Sequence, residues 1–144
     1  MKPQTFANHV RIVPGFHIFL TAIILASFVG SVVNLALTAE RGDSLYDASL
    51  ISLTLFALAM LFYYARAFAL RAQDRAIRAE EQFRHYILTG KPLDGRLAMP
   101  QIIALRFASD AEFPALAERA VREGLSNRAI KQAVAQWRAD HHRA

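Results

Sequence analysis

Five histidines and no cysteine are the groups of this 144-residue chain best suited to hold a metal or relay a proton. His9, His17 and His85 are scattered, and no nucleophile–base pair, phosphate loop or metal-ligand spacing stands out around them. Asp140, His141 and His142 are adjacent donors. A tripeptide so near the C-terminus lacks the outer hydrogen bonds that orient metal ligands, so it reads as a solvated tail. The missing cysteines exclude thiol catalysis, a disulfide framework and Cys-based zinc sites. No catalytic residue, metal ligand or cofactor is expected.

A second chemistry is suggested by Gly124-Leu125-Ser126, which joins two helical segments as a helix-turn-helix does. Ala120, Gly124 and Ile130 fall where that motif wants a small residue, a glycine turn and an apolar packing residue. The following helix carries Arg128, Lys131, Gln132 and Arg138, side chains able to reach phosphates or base edges. This gives the alternative function, a membrane-tethered DNA-binding regulator. Any tight helical corner needs a small residue and a glycine, however. Cations on an exposed terminal helix are also ordinary, so nucleic acid is not the expected partner.

The elements that must position these residues begin with two uncharged runs. Ile12–Ala39 and Ala48–Ala65 contain no Asp, Glu, Lys or Arg over 28 and 18 residues. A bilayer core about 30 Å thick needs roughly 20 helical residues. The first run predicts a transmembrane helix over 14–37, with Pro14 in its first turn. It is too long for the apolar region of a cleaved signal. The second predicts a helix over 48–70, its length completed when Arg66 snorkels to the interface. Tyr46, Tyr63 and Tyr64 suit interfacial anchors. Residues 1–13 form a cytoplasmic N-terminal segment, and 38–47 an acidic periplasmic loop.

Charge sets the expected orientation. Lys2 and Arg11 precede the first span, and Arg66, Arg71, Arg75, Arg78 and Arg84 follow the second. The connection has Arg41 against Glu40, Asp43 and Asp47. The positive-inside rule puts both termini in the cytoplasm. Residues 66–144 hold 14 Lys and Arg against 9 Asp and Glu, which accounts for the whole net charge of +5. The basic balance is therefore a consequence of topology and does not imply DNA.

Within the first span Ala22, Ala26, Gly30 and Asn34 recur every four residues, a small-residue stripe that lets helices approach closely in lipid. It is expected to pack mainly on the second span of the same hairpin, with another subunit as the other candidate. Neither span holds a carboxylate, and His17 is the one ionisable group inside them, placed as an interfacial residue. This argues against a transporter.

Beyond Arg66 nothing breaks the helix before Thr89-Gly90-Lys91-Pro92, so 71–90 continues the second span into the cytoplasm. Ala65, Ala69, Ala72, Ala76, Ala79, Phe83 and Tyr86 alternate steps of four and three, the period of a helix-packing seam. The seam receives a partner helix, another copy included, or the chain's own C-terminal domain. Arg66, Arg71, Arg75 and Arg78 are placed to contact lipid headgroups, with Asp74, Glu80 and Glu81 interleaved. Residues 91–144 predict three short helices. The first is Pro100–Ala108, the second starts from a Ser109/Glu112 capping box and stops at Gly124, and the third is capped by Ser126 and runs to about His141. Ile130, Val134 and Trp137 are its expected buried face. So thin a core is expected to pack on the long helix or on a partner.

Residues Asn8–Arg11 through Pro14, Met99–Asp110 and Ile130–Trp137 together resemble a family of small bacterial two-span membrane proteins of unknown function. The resemblance implies a bacterial inner-membrane protein and supplies no activity, ligand or catalytic residue. The expected molecule is an all-α membrane protein: a two-helix hairpin, an extended second helix and a small three-helix cytoplasmic domain. Its expected function is a non-catalytic accessory or scaffold subunit. Its partners would be the lipid bilayer and either a membrane protein complex or a homo-oligomer.

Overall fold

The computed structural model describes residues 4–9 and 12–140. Lys2, Arg11, His141 and His142, which entered the reading above, lie outside the described residues. Among the described residues every regular element is helical, apart from one isolated bridge between Ala108 and Trp137. A π-helical stretch Gly15–Leu20 leads into α1 (Thr21–Arg41). Then come α2 (Tyr46–Thr89), α3 (Met99–Leu105), α4 (Phe113–Glu123) and α5 (Asn127–Ala133). The chain divides into two compact units. One is Ile12–Phe68; the other combines the N-terminal segment with the residues from Ala69 onward.

The first unit is a helical hairpin. Its opening stretch, Gly15–Leu20, is wound as a π-helix in place of the predicted α-helix, and Thr21 Oγ1 at its end donates to Phe16 O at 3.2 Å. The first helical run reaches Arg41, four residues beyond the predicted end of the span. Gly42 ends it in the left-handed region at φ 72°, and Asp43 N returns to Thr38 O at 3.2 Å, closing the last turn. α2 then starts at Tyr46. Both helices are long and apolar enough to cross a membrane, yet only 11% and 6% of their most apolar 18-residue windows are buried within the chain. Helices so apolar and so bare have no core of their own to enter.

The small-residue stripe does not form the hairpin contact. Ala22, Ala26, Gly30 and Asn34 are all exposed. The contact face of the first run is His17, Thr21, Ile24, Phe28, Ser31, Leu35 and Thr38, buried or half-buried and alternating steps of four and three. Ala48, Ser52, Leu55, Ala59, Phe62 and Arg66 answer it from α2 with the same alternation. The physical reason is periodic. Alternation of four and three keeps one face toward a neighbouring helix, and the four small residues lie off that face, exposed. Hydroxyls enter this seam because backbone carbonyls satisfy them: Ser52 Oγ donates to Ser31 O at 3.1 Å and to Ala48 O at 3.0 Å. Phe16 stacks on Phe62 with centroids 4.6 Å apart.

The second unit is built on the far end of α2. Gly90, left-handed at φ 69°, terminates that helix, and its N–H bonds Tyr86 O at 2.8 Å. The chain then folds back through Leu93 and Leu97 into α3, α4 and α5. Their core includes Ile102, Leu105, Phe113, Ala120 and Ile130, with Ile77 of α2. Three predicted elements are corrected. α3 ends at Leu105, and Ala108, expected inside it, bridges to Trp137. Ser109 does not cap α4; its Oγ is buried without a hydrogen bond, and Glu112 makes the local contact instead, accepting from Ser109 N at 3.1 Å. α5 stops at Ala133 instead of running to His141. Past it, Glu112 captures the N–H groups of Ala135 and Gln136, and Arg138 N bonds Phe107 O at 2.7 Å. Those partners pull the backbone out of the helix although no residue there breaks one. Val134 is buried as expected, whereas Trp137 is only half-buried and lies beyond the helix predicted to carry it.

Candidate functional site

Arg84 organises the junction between α2 and the helices that follow. It lies on the face Ile77, Glu81, Arg84 and His85, which the C-terminal helices cover. Its guanidinium sits 4.5 Å from the Phe113 ring centroid, and His85 meets the same ring edge-on at 5.8 Å. It donates to Glu81 at 2.9 Å, to Asp110 at 2.7 Å and to Ala108 O at 2.6 Å. Glu81 is only 4% exposed, and Arg138 approaches its other oxygen at 3.9 Å. Burial pushes the Glu81 carboxyl above the usual carboxylate range, against the opposing pull of Arg84 and Arg138. A cleft of about 390 Å³ beside it is lined by Ile77, Glu81, Arg106, Arg138 and Asp140. Arg106 reaches Asp140 there at 3.4 Å. Guanidinium and carboxylate alternate around this cleft, so its charges answer one another and tie the segment around Arg138 and Asp140 to α2.

The N-terminal segment closes on the same unit. Gln4 pairs with the backbone of Asp140, and His9 stands among Phe6, Phe107 and Trp137 at centroid distances of 6.0, 5.7 and 5.9 Å. His9 Nδ1 lies 2.8 Å from Phe6 O and Nε2 lies 3.1 Å from Lys131 Nζ. An Nδ1–H donating to the carbonyl, with Nε2 accepting from the ammonium, satisfies both contacts. The Ser109/Glu112 spacing pointed to Glu112, whose carboxylate does accept from Ser109 N, whereas nothing in the sequence pattern pointed to Gln4 or to the pairing of Glu81 with Arg84.

The remaining predicted residues fall on separate surfaces. Ala72, Ala76, Ala79 and Phe83 are exposed, so the C-terminal helices do not use that seam; they dock one face over, where Arg84 and His85 meet Phe113. Arg71, Arg75 and Arg78 are exposed, while Arg66 is half-buried with its guanidinium 6.0 Å from the Phe16 ring. His17 turns back on Val13, its Nδ1 3.1 Å from that residue's backbone. Ala120, Gly124 and Ile130 do form a helical corner, with Ser126 Oγ accepting from Ala129 N at 3.2 Å. The four nucleic-acid candidates do not share one helix surface, however. Arg128 and Gln132 are exposed on a seven-residue α5. Lys131 is turned onto His9 and the Phe107 ring, and Arg138 lies beyond the helix against Glu81. Among the described residues no three His, Asp or Glu side chains cluster as metal ligands would.

These features define an all-helical protein with two helices able to cross a membrane and a small helical unit clamped to the end of the second. The chain belongs to a family of unknown function, DUF6526, whose sequence profile matches residues 1–144. No curated protein and no solved structure matches it.

Proposed function

We propose that this protein is a non-catalytic accessory or scaffold subunit of a bacterial inner membrane, docking by helix packing on a larger membrane protein complex or on itself. Both termini are cytoplasmic, and Gly42–Leu45 form the outer turn. The observation that carries the reading is the face Ala22, Ala26, Gly30 and Asn34, which the hairpin leaves exposed. In lipid, association rests on close packing and on satisfying polar groups, and this face offers small side chains ending in an amide that seeks a partner. The docking of Gln4 on Asp140 supports a common side for the two termini, because one residue precedes the first span and the other follows the second. The excess of Lys and Arg after residue 66 supports the cytoplasm as that side.

Purification in mild detergent, with mass determination and identification of companions, tests the function. A companion subunit or a defined oligomer is expected, and Gly30→Leu should release it. A lone monomer would overturn the reading. For topology, a reporter active only outside the cytoplasm should work at Gly42 and fail at the C-terminus.

A further inference from the structure

The extension of α2 carries large apolar side chains where charge excludes them from the bilayer core. Phe83, Tyr86 and Ile87 are 67%, 57% and 64% exposed, following a stretch that includes Arg71, Arg75, Arg78 and Glu80. In heptad terms Ala69, Ala76 and Phe83 occupy a, and Ala72, Ala79 and Tyr86 occupy d, and all six are exposed. The chain's own C-terminal helices use the opposite side, where Ile77 and Arg84 stand at b, His85 at c and Glu81 at f. The a/d face is therefore open along its length, and the fold has placed its clamp so as to leave it open.

Charge identifies what covers it. Position g holds Arg75 and the e position five residues later holds Glu80, both exposed and neither in an ion pair among the described residues. In a parallel two-stranded coil, g of one helix faces the following e of the other. A second copy of this chain therefore meets Arg75 with Glu80, twice over by symmetry. We infer that residues 69–88 of α2 pair in parallel, in register, with the same residues of a second copy. This deepens the scaffold reading and rests on its membrane insertion, since two hairpins inserted the same way are held parallel. An alanine-rich seam of this length is smaller than the ~1,600 Å² of a standard soluble interface. Confinement of both copies to one bilayer supplies the remainder by raising their effective concentration.

The cysteine-free sequence makes the test direct. Full-length Ala76→Cys and Ala79→Cys variants, oxidised in native membranes, should give disulfide-linked dimers, and Arg78→Cys, at position c, should give several-fold less. Arg75→Glu in the Ala76→Cys background should cut the yield several-fold, and adding Glu80→Arg should restore it. Equal linkage at positions 76 and 78, no linkage at 76 and 79 in membrane-inserted protein, or no rescue by the double swap would overturn the pairing. The two readings fail distinguishably: a companion in detergent without cross-links sinks the pairing and leaves the scaffold reading standing, whereas finding neither companion nor cross-link sinks both.

Discussion

Gln4 and Asp140 are joined by two hydrogen bonds across 136 positions of sequence. Gln4 Nε2 donates to Asp140 O at 3.1 Å, and Asp140 N donates to Gln4 Oε1 at 2.8 Å. One side chain thus completes both backbone groups of a residue near the opposite end of the chain. The N-terminal segment is consequently part of the C-terminal unit, covering Phe107 and Trp137 with His9. Gln4→Ala should cost about 1–2 kcal/mol of that docking. Trp137 is the only tryptophan, so its emission reports the event: a red shift, with faster amide exchange over 134–140, is expected. Unchanged emission in both Gln4→Ala and His9→Ala would mean the segment does not cover the ring.

Arg84 is the residue whose loss the second unit should tolerate least. Removing it leaves Glu81 buried with, among the described residues, Arg138 at 3.9 Å as its cationic partner. Breaking a buried pair from one side costs about 3–5 kcal/mol. Arg84→Ala should lower the melting temperature of the C-terminal helices sharply. Arg84→Lys should recover only part, because an ammonium cannot reach Glu81, Asp110 and the Ala108 carbonyl at once while stacking on Phe113.

The buried Glu81 makes stability depend on pH in an unusual direction. Its carboxyl titrates above its ordinary value of 4.5 when folded, so the folded state holds that proton more tightly than the unfolded state. The associated stability is fully present below pH 4.5 and is lost as pH rises through the folded value. Asp94 runs oppositely. Hydrogen bonds from Arg96 hold it at about 2, and its small surface contribution is present above 3.8 and lost as pH falls toward 2. Melting followed by circular dichroism from neutral pH down to 4.5 should show a gain on acidification that Glu81→Gln flattens. An identical slope in wild type and Glu81→Gln would refute this role.

What could be read in advance divides along physical lines. Hydropathy and length revealed the hairpin and the long second helix, because a span's apolarity is a sum over many residues and tolerates local error. Gly90 and Gly124 marked helix ends for a similar reason: each needs only the left-handed backbone that glycine allows. Gly42 ends the first helix in the same way, four residues beyond the end read from hydropathy. Faces were harder. Ala22 through Asn34 looked like a contact because small residues suggest closeness, yet Ser31, Thr38 and Ser52 make it, their hydroxyls satisfied by carbonyls. Least visible were contacts between distant segments. The early end of α5 depends on Glu112, more than twenty residues upstream, and no local propensity encodes that.

That distinction between faces gives a final contrast between adjacent residues. Ser31 is buried in the hairpin seam, with Ser52 Oγ on its carbonyl. Gly30 faces outward, and a Cβ added there meets nothing within 4 Å. Ser31→Leu forces a large side chain into a filled contact, at about 1–3 kcal/mol for overpacking. Gly30→Leu leaves the hairpin contact untouched and enlarges only the outer face. Thermal unfolding in mild detergent should therefore separate them: Ser31→Leu melts lower, while Gly30→Leu melts near wild type and alters only what copurifies. If Gly30→Leu instead destabilised the isolated chain as much as Ser31→Leu, the stripe would be an internal contact after all, and its availability to a partner would be lost.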